Sequence, residues 1–162
     1  MDPEITSARQ AADDARVQAF GQLRGAADRL GHLLGRALER DCGITQLMYE
    51  VLLIVGRAGE DGLTMRSIAQ EQVLTTGGAT RLVDRMEALG LVTRTASPND
   101  RRGRLVRLTA LGEETTVRAS RLHVANIEQF FLRPLPEEHR ERFAEDLRTL
   151  SRFARDALPR LR

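Results

Sequence analysis

The chain has 162 residues, enough to bury one sizeable core, and is most simply a single domain over 1–162. It lacks Trp, has a formal net charge of +2, and all 25 of its basic residues are arginine. A lone cysteine, Cys42, excludes an internal disulfide framework and a cysteine-rich zinc site, and no stretch approaches the about 18 apolar residues needed to cross a bilayer.

The polar, acidic opening MDPEITSARQAADD is unlike a basic-then-apolar export signal, so a soluble cytoplasmic protein is expected, with no membrane partner. Residues 15–40 then place Val17, Phe20, Leu23, Ala27, Leu30, Leu34 and Leu38 three and four apart. That spacing predicts an amphipathic helix of about seven turns. Gly21, Gly25, Gly31 and Gly35 lie within it, each costing about 1 kcal/mol against Ala. Two Gly-x-x-x-Gly spacings fit either the close approach of another helix or an unselected, GC-rich composition.

Residues 44–57 are almost continuously apolar and predict a buried central helix, with Thr45 as its N-cap. GEDG at 59–62 reads as a turn, and Thr64 caps a short helix over 65–72. In TTGGATRLVDRMEALG, Thr75 or Thr76 caps the next helix and Gly90 ends it in the left-handed conformation. Leu82, Val83, Met86 and Leu89 form its inward stripe. LVTRT (91–95) and RLVRLT (104–109) are two strands joined by ASPNDRRG, too long a link for a two-residue turn. Two further helices are expected from 110 to about 132 and over 136–158, separated by Arg133-Pro134-Leu135-Pro136. The second carries the cleaner apolar stripe, Phe143, Leu147, Leu150 and Ala154.

The order helix, helix, short helix, turn, helix, hairpin is that of a winged helix-turn-helix, in a mostly α chain. Charge supports a polyanionic partner. Residues 64–109 hold eight arginines against four acids, a local +4, and the remainder is a local −2. A helix over 76–89 would offer Thr76, Gly77, Gly78, Thr80, Arg81 and Arg85 to the major groove of B-DNA, near its N-terminus. Adjacent glycines at a helix start fit close backbone approach to a partner, or plain tolerance at a frayed first turn. Arginines at the hairpin tip can enter the neighbouring minor groove, where the potential is most negative. Asp100 can accept a hydrogen bond from Arg102 and aim it; the alternative is a solvated surface ion pair worth about 0 to 1 kcal/mol. Arg94 and Arg107, inside the strands, should reach at most the flanking phosphates. The expected DNA-binding set is therefore Arg66, Thr75, Thr76, Gly77, Gly78, Thr80, Arg81, Arg85, Asp100, Arg101, Arg102 and Arg104.

From Thr64 to Gly112 the chain resembles the multiple-antibiotic-resistance-regulator (MarR) family of transcription factors. TTGGATRLVDRMEALGLV is similar to that family's recognition helix entering its wing. DRRGRLVRLTALG is similar to its wing motif, an Asp-x-Arg followed by Leu-Thr and a Gly at the next helix start. The resemblance implies a homodimer, with interleaved helices from about 10–40 and 113–160 around a winged lobe over about 44–112. It implies a minor-groove role for Arg102, an aiming role for Asp100 and base contacts from 76–81. It also implies a regulator, usually a repressor, of a double-stranded, pseudo-palindromic operator. A small aromatic or phenolic effector is a common partner in this family. His32, Tyr49 and His123 could border its pocket, although each also reads as an ordinary structural residue. With no Trp, the tryptophan-bearing urate-sensing subgroup is disfavoured. Cys42 follows the first helix, unlike the cysteine of the peroxide sensors, and reads as a small buried hydrophobe.

Two other function classes compete. A winged-helix protein-interaction module shares the fold without DNA binding, but has no need of a basic hairpin. An enzyme is set aside, because the three histidines are scattered, no metal-spaced cluster appears, and no phosphate-binding glycine loop follows a strand. No cofactor is expected.

Overall fold

The computed structural model describes residues 5–96 and 104–158. In chain order the helices are α1 (Ala8–Asp13), α2 (Ala15–Cys42), α3 (Gln46–Ala58), α4 (Met65–Glu71), α5 (Thr76–Ala88), α6 (Ala110–Ile127) and α7 (Glu137–Ala157). Strands β1 (Leu63–Thr64), β2 (Val92–Ala96) and β3 (Arg104–Leu108) form one antiparallel sheet in the order β1-β3-β2. A 3-10 turn, Gly59–Asp61, follows α3, and α6 runs on into a π-helical turn, Glu128–Leu132.

Four helices begin in the same way, with a threonine hydroxyl accepting from the N–H three residues on. The pairs are Thr45 with Met48 (3.2 Å), Thr64 with Ser67 (3.1 Å), Thr75 with Gly78 (3.1 Å) and Thr109 with Gly112 (3.0 Å). Each satisfies one of the N–H groups that a helix start leaves without a partner. Of the two residues left open for α5, Thr75 is the cap. At the other end of α5, Leu91 N–H donates to Met86 O (3.0 Å) and Gly90 N–H to Glu87 O (2.9 Å). That bond pair closes the helix around Gly90, whose φ of 72° a side chain would resist.

The core lies where α3 meets the sheet and the ends of α2, α4, α5 and α6. Leu38, Met48, Val51, Leu52, Val55, Ile68, Val83, Met86, Val92, Val106 and Ala119 form its buried cluster. The continuous apolar run of α3 is explained by its place, since Met48, Tyr49, Val51, Leu52 and Val55 are all buried. Cys42 packs against this cluster, partly buried.

Several expectations need correction. The sheet has a third strand, β1, whose two residues pair Leu63 with Val106 and Thr64 with Leu105. So short a segment has no periodicity to read; only the pairing defines it. The inward stripe of α5 is Ala79, Val83 and Met86, with Leu82 partly buried against the same core, whereas Leu89 stays 45% exposed. Leu89 occupies the C-cap, where the chain already turns outward into Gly90. The long apolar stripe of α2 is buried only at its C-terminal end, at Leu34, Gly35, Ala37 and Leu38. A Cβ on Gly21 or Gly31 would meet no atom within 4 Å, so among the described residues these glycines have no close neighbour.

Candidate nucleic-acid interface

Helix α5 presents three distinct faces, each a stripe of residues three or four apart. One, Ala79, Val83 and Met86, is buried in the core. A second, Gly77, Arg81 and Arg85, is exposed. The third, Thr80, Asp84 and Glu87, faces strand β2 and is tied to Arg94. The Arg94 guanidinium donates to Asp84 Oδ1 (2.6 Å) and Glu87 Oε2 (2.7 Å), with a longer contact to the Thr80 carbonyl (3.5 Å). The Arg94 main-chain N–H also donates to Glu87 Oε1 (3.1 Å).

Arg94 therefore does not reach outward from its strand as expected. Arg107 does not either, because it donates to the Glu60 carbonyl (2.6 Å) and to Thr95 Oγ1 (2.7 Å). Both side chains are spent within the fold. Arg66, Arg81, Arg85 and Arg104 are exposed, and among the described residues none has a hydrogen-bond or ion-pair partner. The contrast could have been sought in the sequence. Acids at 84 and 87 share a stripe of α5, and a strand arginine follows one turn later in the chain.

Thr75, Thr76 and Gly77 are exposed at the start of α5, Gly78 is half-buried, and Thr80 is exposed. The Thr80 hydroxyl donates back to the Thr76 carbonyl (2.9 Å), which leaves its oxygen free only as an acceptor. A Cβ on Gly77 would meet nothing within 4 Å, so nothing among the described residues requires a glycine there. Asp100, Arg101 and Arg102 lie outside the described residues.

The Leu-Thr-x-x-Gly part of the wing motif has a structural meaning. Thr109 caps α6 and also donates its hydroxyl to the Gly90 carbonyl (2.5 Å), while its N–H donates to Leu91 O (3.1 Å). A Cβ on Gly112 would sit 1.9 Å from that same Leu91 oxygen. The motif thus seats the start of α6 on the turn that ends α5.

The three residues expected near an effector do not come together. Tyr49 and His123 do meet, with ring centroids 4.8 Å apart, and the Tyr49 hydroxyl donates to Ser120 Oγ (3.1 Å). Among the described residues, His123 Nδ1, Gln46 Oε1 and Asn126 Nδ2 are buried without a hydrogen-bond partner. His32 is exposed on α2 instead, beside a shallow surface depression lined by Gly31, Gly35, Arg36 and Gln46 but by neither ring.

Among the described residues, no helix is long and apolar enough to cross a membrane, and no group of three or more His, Cys, Asp or Glu could hold a metal ion. Residues 43–103 match the model of the MarR family. No curated protein sequence matches the chain. Among solved structures, the chain is similar to AbsC, a MarR family transcriptional regulator from Streptomyces coelicolor. That match has 26% identity and a TM-score of 0.79, over 88% of this chain and 96% of AbsC. Sco3205, a MarR family regulator from the same organism solved in complex with DNA, matches at 26% identity and a TM-score of 0.77. It covers 93% of this chain and 90% of its own. The transcriptional repressor CouR, from Rhodococcus jostii RHA1 and bound to a 23-mer DNA duplex, matches at 25% identity and a TM-score of 0.72, over 80% and 89%. Residues 43–103 thus resemble the MarR family, and the chain shares the fold of MarR family transcriptional regulators along most of its length.

Proposed function

We propose that the protein is a homodimeric, sequence-specific repressor that binds a pseudo-palindromic operator and responds to a small ligand. The observation that carries this is the exposed stripe of α5. Gly77, Arg81 and Arg85 stand opposite the core stripe, and the arginines have no partner among the described residues. Cations left unpaired on one helix face gain little from folding and suit a phosphate-bearing partner. In this proposal the Thr75–Thr80 end of α5 meets base edges, and Arg81 and Arg85 follow along the groove. Arg66, Arg101 and Arg104 meet phosphates, while Arg102, aimed by Asp100, enters the flanking minor groove. The DNA-bound forms of Sco3205 and CouR support it by likeness.

Dimerisation would use α2 with α6 and α7. Val17 (52% exposed), Phe20 (66%), Leu150 (55%) and Phe153 (75%) are apolar side chains that one chain leaves uncovered. The Tyr49–His123–Ser120 junction, with its unpartnered Nδ1, is the proposed seat of a small aromatic or phenolic effector. CouR has also been solved with p-coumaroyl-CoA, which fits an aromatic class of effector.

Selection of bound duplexes from random DNA tests the proposal. The expected outcome is a pseudo-palindrome with half-site centres about 10 base pairs apart, since a twofold dimer presents two copies of α5. Inserting about five base pairs between half-sites should abolish tight binding by turning one half to the opposite face. Failure to enrich any sequence would sink it. An effector must bind the free protein more tightly than the DNA complex, with a coupling of about 1 to 3 kcal/mol that is equal in both directions.

A further inference from the structure

We infer that Arg94 is a positioning residue for DNA recognition, which locks the wing to the recognition helix and sets the span between their two groove contacts. The inference rests on the DNA-binding function proposed above.

The connection between α5 and β2 is short and bends at Gly90. Arg94 bridges that bend. Its fork holds Asp84 and Glu87 at once, and its main-chain N–H holds Glu87 a second time. A planar guanidinium can grip two carboxylates in fixed directions, which a single ammonium cannot. Arg94 is 21% exposed in its side chain, whereas Asp84 and Glu87 are 56% and 40% exposed, so the pairs are partly screened by solvent. Screened pairs of this kind contribute little to stability. What they do supply is direction. The grip joins the stripe of α5 beside the exposed Arg81 and Arg85 to the strand that leads into the segment 97–103.

Arg94 faces α5, and its guanidinium is occupied, so it makes no phosphate contact. That separates it by experiment from the exposed arginines of the basic segment, Arg66, Arg81, Arg85 and Arg104. Arg94→Ala should weaken binding to the selected operator about tenfold or more, while the slope of log affinity against log salt stays unchanged. A phosphate contact would instead lower the slope by about 0.9. Hydroxyl-radical footprints should lose protection in the flanking minor groove while dimethyl sulfate protection in the major groove persists. Simple loss of fold would remove both. Arg94→Lys should restore the affinity only in part.

The exposed pair Asp84→Asn with Glu87→Gln provides a variant that keeps the arginine and adds two units of positive charge. It should nevertheless bind the operator more weakly than the natural chain. A reduced salt slope in Arg94→Ala, or tighter binding by the double variant, would overturn the inference and leave DNA binding standing. No binding of any duplex by the natural chain would overturn both.

Discussion

At Gly112 a single methyl group decides whether two elements can touch. A Cβ there would lie 1.9 Å from the Leu91 carbonyl oxygen, which already accepts from Thr109 N–H. Neither side is a flexible side chain, so relief requires α6 to move off the turn that ends α5. Gly112→Ala should cost about 3 kcal/mol in urea unfolding, at the upper end of overpacking effects. Gly21→Ala is the matched control, because it meets no atom within 4 Å in one chain and should gain up to about 1 kcal/mol. Equal stability of the two variants would contradict the packing at Leu91. Arg102 and Asp100 give the second prediction at this scale. Arg102→Ala should weaken binding at A·T-flanked operators more than at G·C-flanked ones, because a narrow minor groove attracts a guanidinium most. Asp100→Ala should weaken binding too, although it raises the positive charge. Tighter binding by that variant would make Asp100 a merely repulsive surface acid.

At the scale of elements, α5 and the α3–α6 junction each carry a test. Gly77 lies in the first turn of α5 with open space around it, so Gly77→Ala should hold or raise stability, by up to about 1 kcal/mol. If DNA backbone approaches this turn, the same variant should bind the operator more weakly. Unchanged binding would assign Gly77 to tolerance at a helix start. In the junction, burial pushes the His123 imidazole below its usual 6.5, with the nearby Glu50 carboxylate partly opposing the shift. The folded chain therefore favours the neutral ring, and the unfolded chain takes up the proton first as pH falls. Stability from this group is present above 6.5 and is lost as pH falls through that value towards the lower folded one. His123→Gln should flatten the dependence of the urea midpoint on pH below the usual imidazole value. A steeper dependence in the variant would reverse the assigned sign.

Among the described residues, the outer helices leave several large apolar side chains uncovered. No residue of α7 is buried, and Phe153 is 75% exposed. On α2 the same holds for Phe20, at 66%. A second copy covering these faces would explain both, and would set two α5 helices at a fixed separation. Phe153→Asp should therefore shift the sedimenting species from dimer toward monomer and lower operator affinity together. A natural chain that sediments as a monomer at micromolar concentration would refute the dimer and the pseudo-palindrome with it.

Features written in local chain chemistry were determined by the sequence. Threonine at a helix start, glycine after a helix end and an almost unbroken apolar run each report a constraint set within a few residues. Thr45, Thr64, Gly90 and α3 accordingly stand where those signals put them. The resemblance to the MarR family also held, and part of its motif encodes packing: Gly112 belongs to it for the room it leaves Leu91. Only the tertiary structure decided β1, which exists through its pairing with β3 and has no pattern of its own. It alone decided, too, which arginines are free. Arg81, Arg94 and Arg107 are the same residue to a charge count, yet two of them are consumed by partners distant in sequence. A local +4 measures cations but not their partners, and partners are assigned when strand β2 comes to lie beside α5.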